Sequence, residues 1–245
     1  MKGVGLHLRA ILIASVLLLG GCGGLFCFQV SGPITQWDYH ISPFQKIRVY
    51  NSPQIYINQG VTQSVVVESE ENMFHALQFH IDPFAKLLYI DFDETCIDDI
   101  DHFKIFITVD TLKVVDLRQG GEVWVEDIMK TDSLFILISG DAEVNVANLM
   151  AEEVFVNISG SGEVRLTALD TIENMNCNFS GIGSYFGYDA VCRNAVVDVS
   201  GAGLIQTTVS QNLEVNVSGQ ADVYYRGYPT IIENISGTGQ VIDAN

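Results

Sequence analysis

A six-residue motif that begins with Ser-Gly recurs six times over about the last hundred residues of the chain. The copies begin at Ser139, Ser159, Ser180, Ser200, Ser218 and Ser236, and a degenerate seventh copy without Ser-Gly runs from Arg118 to Val123. Their last positions, residues 123, 144, 164, 185, 205, 223 and 241, are 18 to 21 residues apart. A steady period of about 20 residues is typical of repeat architectures, in which every unit adopts the same conformation.

The residues on either side of each Ser-Gly alternate between apolar and other side chains. The positions two and four residues before each Gly are apolar except for Glu233; they are Ile138, Ile158, Phe179, Val199, Val217 and Ile235, and Ile136, Val156, Cys177, Val197, Val215 and Glu233. After the motif the alternation resumes, as in Val144 and Val146. A period of two indicates β-strands, and no segment is long enough at a period of 3.6 to form a crossover helix.

Each repeat therefore reads as strand, Gly-centred corner, strand and short return. A unit of this size cannot bury its apolar face alone, but like strands stacked about 4.8 Å apart enclose a continuous core. We predict an all-β fold, a single-chain parallel β-helix or solenoid with about 20 residues per coil. Leucine-rich repeats and the nonapeptide calcium roll fit less well, because neither the leucine spacing nor a period of nine is present.

The N-terminal part is less regular but has the same character. Short alternating strands are marked by Ile47 and Val49, by Ile55 and Ile57, and by similar pairs up to Val109. No linker separates them from the repeats, so we expect one domain over residues 40–245, with regular coils over about 113–245 and the irregular part covering one open end.

The first residues resemble a lipoprotein signal. Basic Lys2 and Arg9 precede an apolar run, and Leu19-Gly20-Gly21-Cys22 looks like a bacterial lipobox. We therefore expect a signal peptide over residues 1–21, lipidation of Cys22, and a short tether over 22–39 that leads to the domain. The membrane is then a partner through the anchor at Cys22, and the expected location is the extracytoplasmic cell envelope, at the outer membrane or cell surface. The other four cysteines remain open between free thiols and a disulfide.

Charge and composition exclude several classes of function. Thirty Asp and Glu against twelve Lys and Arg give a formal charge of −18, so nucleic acid is not expected as a partner. No Cys or His spacing predicts a metal site or a cofactor, and we interpret His75, His80 and His102 as ordinary histidines. The acidic stretch from Asp91 to Asp101 lacks the order of a calcium loop, which favours a solvated loop.

Two sets of side chains are candidates for a binding surface. A short polar residue precedes every corner but one, where Leu137 takes its place, in a column of Asp116, Leu137, Asn157, Asn178, Asp198, Asn216 and Asn234. Repetition favours a stacked amide ladder over a catalytic centre, so we assign no catalytic residue. Aromatic residues also recur just after the corners, including Trp124, Tyr185, Phe186, Tyr188, Tyr224, Tyr225 and Tyr228. If exposed, they could stack on sugars or bind protein; if packed, they belong to the core.

The chain resembles the bacterial head GIN domain family, known by the description "putative auto-transporter adhesin". The resemblance rests on Phe44, Ile47 and Val49, on Ile55, Ile57 and Gly60, and on the run of Ser-Gly-x-Gly corners. It implies a β-helical, secreted or lipid-anchored domain and supplies no catalytic residues. We expect a non-enzymatic lipoprotein whose solenoid surface serves adhesion or binds an envelope protein or glycan. The alternatives are a carbohydrate-active enzyme on the same coil and an envelope component that assembles end to end; the oligomeric state stays open.

Overall fold

The computed structural model describes residues 27–93, 96–98, 100 and 102–245. It is an all-β solenoid in which the strands of successive coils pair in parallel. The N-terminal strands are β1 (Phe28–Gln29), β2 (Ile34–Tyr39), β3 (Lys46–Val49), β4 (Gln54–Gln59), β5 (Ser64–Glu70), β6 (Leu77–Asp82), β7 (Leu87–Phe92), β8 (Ile97–Asp98) and β9 (Phe103–Val109), with a short 3-10 helix over Glu71–His75.

The regular coils begin with β10. They comprise β10 (Val114–Leu117), β11 (Gly120–Val125), β12 (Met129–Lys130), β13 (Ser133–Ile138), β14 (Asp141–Met150), β15 (Glu153–Ile158), β16 (Ser161–Ala168), β17 (Ile172–Phe179), β18 (Ile182–Val199), β19 (Ala202–Val217), β20 (Gln220–Arg226), β21 (Thr230–Ile235) and β22 (Gln240–Asp243). The long strands β18 and β19 also form the return of their coils, so each contributes to two successive coils.

Two sheets run along the solenoid, one on each side of the corners. The first stacks β7, β3, β10, β13, β15, β17, β18, β19 and β21 in that order. The second stacks β9, β4, β11, β14, β16, β18, β19, β20 and β22. The coil of β3 and β4 therefore lies between the coil of β7 and β9 and the coil of β10 and β11, so the order in space differs from the order in the chain.

The core is built from single rows of side chains that repeat from coil to coil. The last positions of the motif stack in register as Val123, Val144, Val164, Tyr185, Ile205 and Val223, and all six are fully buried. The predicted solenoid and its period of about 20 residues are thereby confirmed. Tyr185 is a core residue rather than part of an outer surface.

The corner glycines stack directly on one another. A Cβ atom on Gly181 would lie 2.0 Å from the carbonyl oxygen of Gly160, and one on Gly201 would lie 1.9 Å from that of Gly181. Each of these oxygens accepts a hydrogen bond from the next corner, as from the backbone N of Ile182 to Gly160 at 2.8 Å. Neither Gly181 nor Gly201 is among the residues with positive φ. Glycine is thus required here by the close approach of two backbones.

The degenerate corner has a different chemistry. Arg118 stands where the other corners have Ser, and its Nε lies 2.7 Å from Oδ1 of Asp116. Arg48, one coil away, places its Nε 2.7 Å from Oδ2 of the same carboxylate. Asp116 is 1% exposed. Asp116, the first member of the predicted polar column, is therefore buried between two arginines. The two guanidinium groups offset the free-energy cost of removing its carboxylate from water.

Antiparallel strands close the N-terminal end. β5 pairs with β9, β6 pairs with β7, and β2 pairs with β5 along six residue pairs from Ile34 to Tyr39. Residues 34–39 thus belong to the folded body, although the sequence analysis placed them in a tether. The reason is non-local: β2 adds to the free edge of β5, and the ring of Trp37 stacks on Phe74 at 4.7 Å. The predicted signal peptide and Cys22 lie outside the described residues.

One disulfide joins the two N-terminal segments that the sequence could not pair. Cys27 is bonded to Cys96, and the adjacent β1 and β8 run parallel. Cys177 and Cys192 are free and buried in the core. Burial raises the pKa of both thiols, that of Cys192 to about 11. They therefore remain as neutral thiols, which behave as small apolar side chains.

Candidate functional site

A long groove lies beside the corners of four neighbouring coils. Its volume is about 1060 Å³, at the upper end of the range of about 300–1,000 Å³ for small-ligand sites. We call it the corner groove. Its floor is formed by the starts of β4, β11, β14 and β16, and its rim by residues between β7 and β9; the main lining residues are Asn51, Ser52, Gln54, Asp91, Asp93, Ile97, Ile100, His102, Lys104, Gln119, Glu122, Asp141, Glu143 and Glu163.

Three carboxylates stack along the floor of the groove. Glu122, Glu143 and Glu163 occupy the same position in consecutive coils and pair in register. Each has a partner: Gln54 Nε2 donates to Glu122 at 3.2 Å, Asn145 Nδ2 donates to Glu143 at 2.8 Å, and the Arg165 guanidinium contacts Glu163. The Nε of Arg165 also lies 4.0 Å from Oε1 of Glu143, so this guanidinium is shared by two of the carboxylates. The carboxylate oxygens keep further lone pairs for a ligand. The row presents hydrogen-bond acceptors at steps of about 4.8 Å.

The rim carries the basic groups of the groove. Of the lining residues that the structure describes, Lys104 is the permanent cation. His102 places its Nε2 2.6 Å from Oε1 of Glu68, and hydrogen bonds from Gln36 and His102 lower the pKa of Glu68. The groove is therefore strongly negative overall, and it should repel anionic ligands.

An aromatic stack follows the groove on the same sheet. The rings of Phe106, Tyr56 and Trp124 lie parallel at centroid distances of 5.3 and 5.2 Å. The rings face one another along the solenoid axis, so their edges form an apolar strip beside the groove. Sequence reasoning selected Trp124 but missed Tyr56 and Phe106, because these two residues precede the recognisable corners.

The other predicted aromatics do not form one platform. Arg165 covers the ring of Phe186 at 4.4 Å, and Arg226 covers that of Tyr188 at 3.9 Å. Tyr228 is 91% exposed, whereas Tyr224 and Tyr225 are half-buried. Arginine thus covers two of these rings and Tyr228 is freely exposed, so the last third of the chain offers single rings rather than a continuous stacking surface.

The predicted amide ladder is present in the last coils. Asn216 Nδ2 donates to Asp198 Oδ1 at 2.8 Å, and Asn234 Nδ2 donates to Asn216 Oδ1 at 2.8 Å. A shallow groove of about 370 Å³ runs along this column. A second ladder of Asn174, Asn194 and Asn212 stands on the same sheet, and sequence reasoning missed it. The side chains of both ladders hydrogen-bond to one another and so stabilise the stacked coils. Few of their amide donors remain free to bind a ligand.

Neither a metal centre nor a membrane helix is found in the described part of the chain. No group of three or more His, Cys, Asp or Glu among those residues is arranged to hold an ion. Across the same residues, no helix has the length and apolar character needed to cross a bilayer. Part of the acidic stretch, including Glu94, Asp99 and Asp101, lies outside the described residues.

Comparison with known proteins decides the family. The family model described as "Putative auto-transporter adhesin, head GIN domain" matches residues 43–229, more than half of the chain. The chain belongs to the head GIN domain family. The resemblance inferred from the corners is thereby confirmed. A family of adhesins supports an adhesin-like, non-enzymatic role for this head GIN domain and a location at the cell surface or outside the cell.

Solved structures show the same fold as this head GIN domain. A putative adhesin from Bacteroides fragilis NCTC 9343 has a TM-score of 0.80 at 23% identity and covers 88% of this chain and 98% of its own. A putative lipid binding protein from Parabacteroides distasonis ATCC 8503 has a TM-score of 0.72 at 18% identity, and the match covers 89% of this chain and 99% of that protein. A putative adhesin from Parabacteroides merdae ATCC 43184 has a TM-score of 0.58 at 16% identity, and the match covers 89% of this chain and 98% of that protein. None of the curated proteins matches the chain.

Proposed function

We propose that this head GIN domain protein is a lipid-anchored adhesin of the bacterial cell envelope, attached through Cys22 and binding glycan in the corner groove. The disulfide supports an extracytoplasmic location, because such bonds persist in oxidising compartments. Cys27 is bonded to Cys96, next to Ile97 of the groove, and only four residues lie between Cys22 and Cys27. The five Cα-to-Cα steps between these two cysteines span at most about 18 Å. The capped end of the solenoid is then held close to the membrane.

The open end is correspondingly distant from the anchor. Eight steps of about 4.8 Å separate the coil of β7 and β9 from the coil of β21 and β22, a length of roughly 38 Å. Removal of the signal peptide, with Lys2 and Arg9, changes the formal charge from −18 to −20, and this charge repels the rest of the body from anionic headgroups. The solenoid therefore extends away from the membrane beyond its capped end, and its sides remain accessible to ligands.

Replacement of Cys22 tests the anchor. We expect Cys22→Ser to abolish incorporation of an alkyne-labelled palmitate and to move the protein out of the membrane fraction. The matched control is Cys192→Ala, since Cys192 is buried in the core and should not accept an acyl chain. Unchanged labelling of Cys22→Ser would show that the anchor is wrong, whatever the groove binds.

The corner groove favours a neutral glycan. Glu122, Glu143 and Glu163 offer acceptors for sugar hydroxyls, and the edges of the aromatic stack offer apolar contact beside them. Acidic glycans are disfavoured by the same charges. One fold neighbour is described as a lipid binding protein, but the lining here is mainly polar, which does not favour an acyl chain.

Binding to a glycan array by the full-length protein in detergent micelles tests the groove. Loss of one charged hydrogen bond costs about 1.5–3 kcal/mol, so Glu143→Ala should weaken binding at least about tenfold. Glu153→Ala, on the other sheet and exposed, is the matched control. Equal affinities in the two variants would refute the site. Steady release of reducing ends that Glu143→Gln abolishes would instead establish the enzymatic alternative.

A further inference from the structure

Within the described part of the chain, the coil of β21 and β22 leaves two strand edges open. β21 pairs with β19 and β22 pairs with β20, and neither has a second neighbouring strand among the described residues. The apolar side chains of this coil are correspondingly accessible: Ile232 is 57% exposed and Ile235 39%. An edge of this kind presents unpaired backbone donors and acceptors to any extended chain that approaches it. It lies apart from the corner groove.

At this edge, the inward-facing rows of side chains that form the core end in acidic residues. Glu233 is in register with Val215, so it continues the buried row that includes Ile136 and Val156. Asp243 is in register with Tyr225 on the other sheet. Partial burial and the charges of Asp243 and Glu233 raise the pKa of Tyr225. Asp243 Oδ1 accepts hydrogen bonds from Asn245 N at 3.0 Å and from Asn245 Nδ2 at 2.7 Å, whereas Glu233 has no ion-pair partner within the described chain. Two negative charges therefore lie at the open end of the apolar core.

The charges at this edge do not suit a second copy of the chain. Tail-to-tail pairing would bring like carboxylates together. Head-to-tail stacking would place the edge against β2 or β6, whose sequences ITQWDY and LQFHID contain no Lys or Arg. A partner strand with a basic side chain would satisfy both the free backbone groups and the carboxylates.

We propose that the free edge of β21 is a docking site for an extended strand of another protein, with a lysine or arginine placed opposite Glu233. Main-chain hydrogen bonds along Thr230–Ile235 supply affinity, and Ile231 and Ile235, on the same face of the strand as Glu233, accept the apolar side chains of the partner. Glu233 supplies specificity, because an uncharged or acidic strand leaves its carboxylate unpaired next to apolar surface.

Two synthetic peptides test the proposal on the full-length protein in micelles. Both have about seven residues of alternating Val and Thr, with Lys at the centre of one and Glu at the centre of the other. We expect the Lys peptide to bind at least about tenfold more tightly by fluorescence anisotropy and to slow amide exchange in β21. Glu233→Lys should reverse the preference, whereas Glu153→Lys, with the same charge change on β15, should leave it unchanged.

Three results would overturn the proposal. The first is equal affinity for the two peptides, and the second is protection from exchange outside β21. The third is concentration-dependent dimer formation by the unmodified protein in sedimentation velocity, with protection of the same edge. That result would assign the edge to a second copy. None of these results depends on lipidation or on the corner groove, so the adhesin proposal stands or falls separately.

Discussion

Gly181→Ala is expected to lower the free energy of unfolding by about 3 kcal/mol. The added Cβ would lie 2.0 Å from the carbonyl oxygen of Gly160, well inside van der Waals contact. Relief requires the two corners to separate, which breaks the hydrogen bond from Ile182 N to Gly160 O. Overpacking costs about 1–3 kcal/mol and a lost hydrogen bond about 0.5–1.5 kcal/mol. Urea denaturation followed by far-ultraviolet circular dichroism measures the change.

The neighbouring residue supplies the control. Ser180 is in the same corner but exposed, and its replacement by Ala should change stability by less than about 0.5 kcal/mol. A difference between Gly181→Ala and Ser180→Ala is therefore specific to the stacked corners. If the two variants unfold at the same urea concentration, the corners do not stack as described.

Loss of the Cys27–Cys96 disulfide is expected to lower the free energy of unfolding by about 2–4 kcal/mol. The bond joins residues 69 apart in sequence, so it removes many conformations from the unfolded chain. It also holds β1 against β8 beside the rim of the corner groove. The double variant Cys27→Ser/Cys96→Ser should therefore melt at a lower temperature than the parent.

Reductant provides an internal check on this prediction. Dithiothreitol should lower the melting temperature of the parent to that of the double variant and should not change the double variant, because Cys177 and Cys192 are already free. An equal effect of reductant on both proteins would mean that another thiol reaction is responsible. A double variant as stable as the parent would show that the bond does not constrain the unfolded chain.

The regular half of the fold could be predicted from the sequence because its information is local and repeated. Alternating residues such as Val154, Val156 and Ile158 specify a strand and its buried face. The spacing of the corners then specifies which strands stack. The amide ladder from Asp198 to Asn234 follows from the same register, since equal positions in successive coils become neighbours.

The irregular half depends on pairings between segments distant in sequence. Nothing local indicates that β2 adds to β5, that β3 lies between β7 and β10, or that Cys27 meets Cys96. The stack of Phe106, Tyr56 and Trp124 forms only because β9, β4 and β11 become neighbours. The corner groove is bounded by these same elements, so most of the candidate site could not be predicted from the sequence.

The central claim is that equal positions of the repeat stack one coil apart along a single axis. Spin-label pairs measured by double electron–electron resonance test it directly, because Glu122, Glu143, Asp222 and Gln240 share one outward column. At about 4.8 Å per coil, the pairs 143/222, 122/222 and 122/240 should be separated by about 19, 24 and 29 Å. Distances that fail to increase in this order would contradict the solenoid.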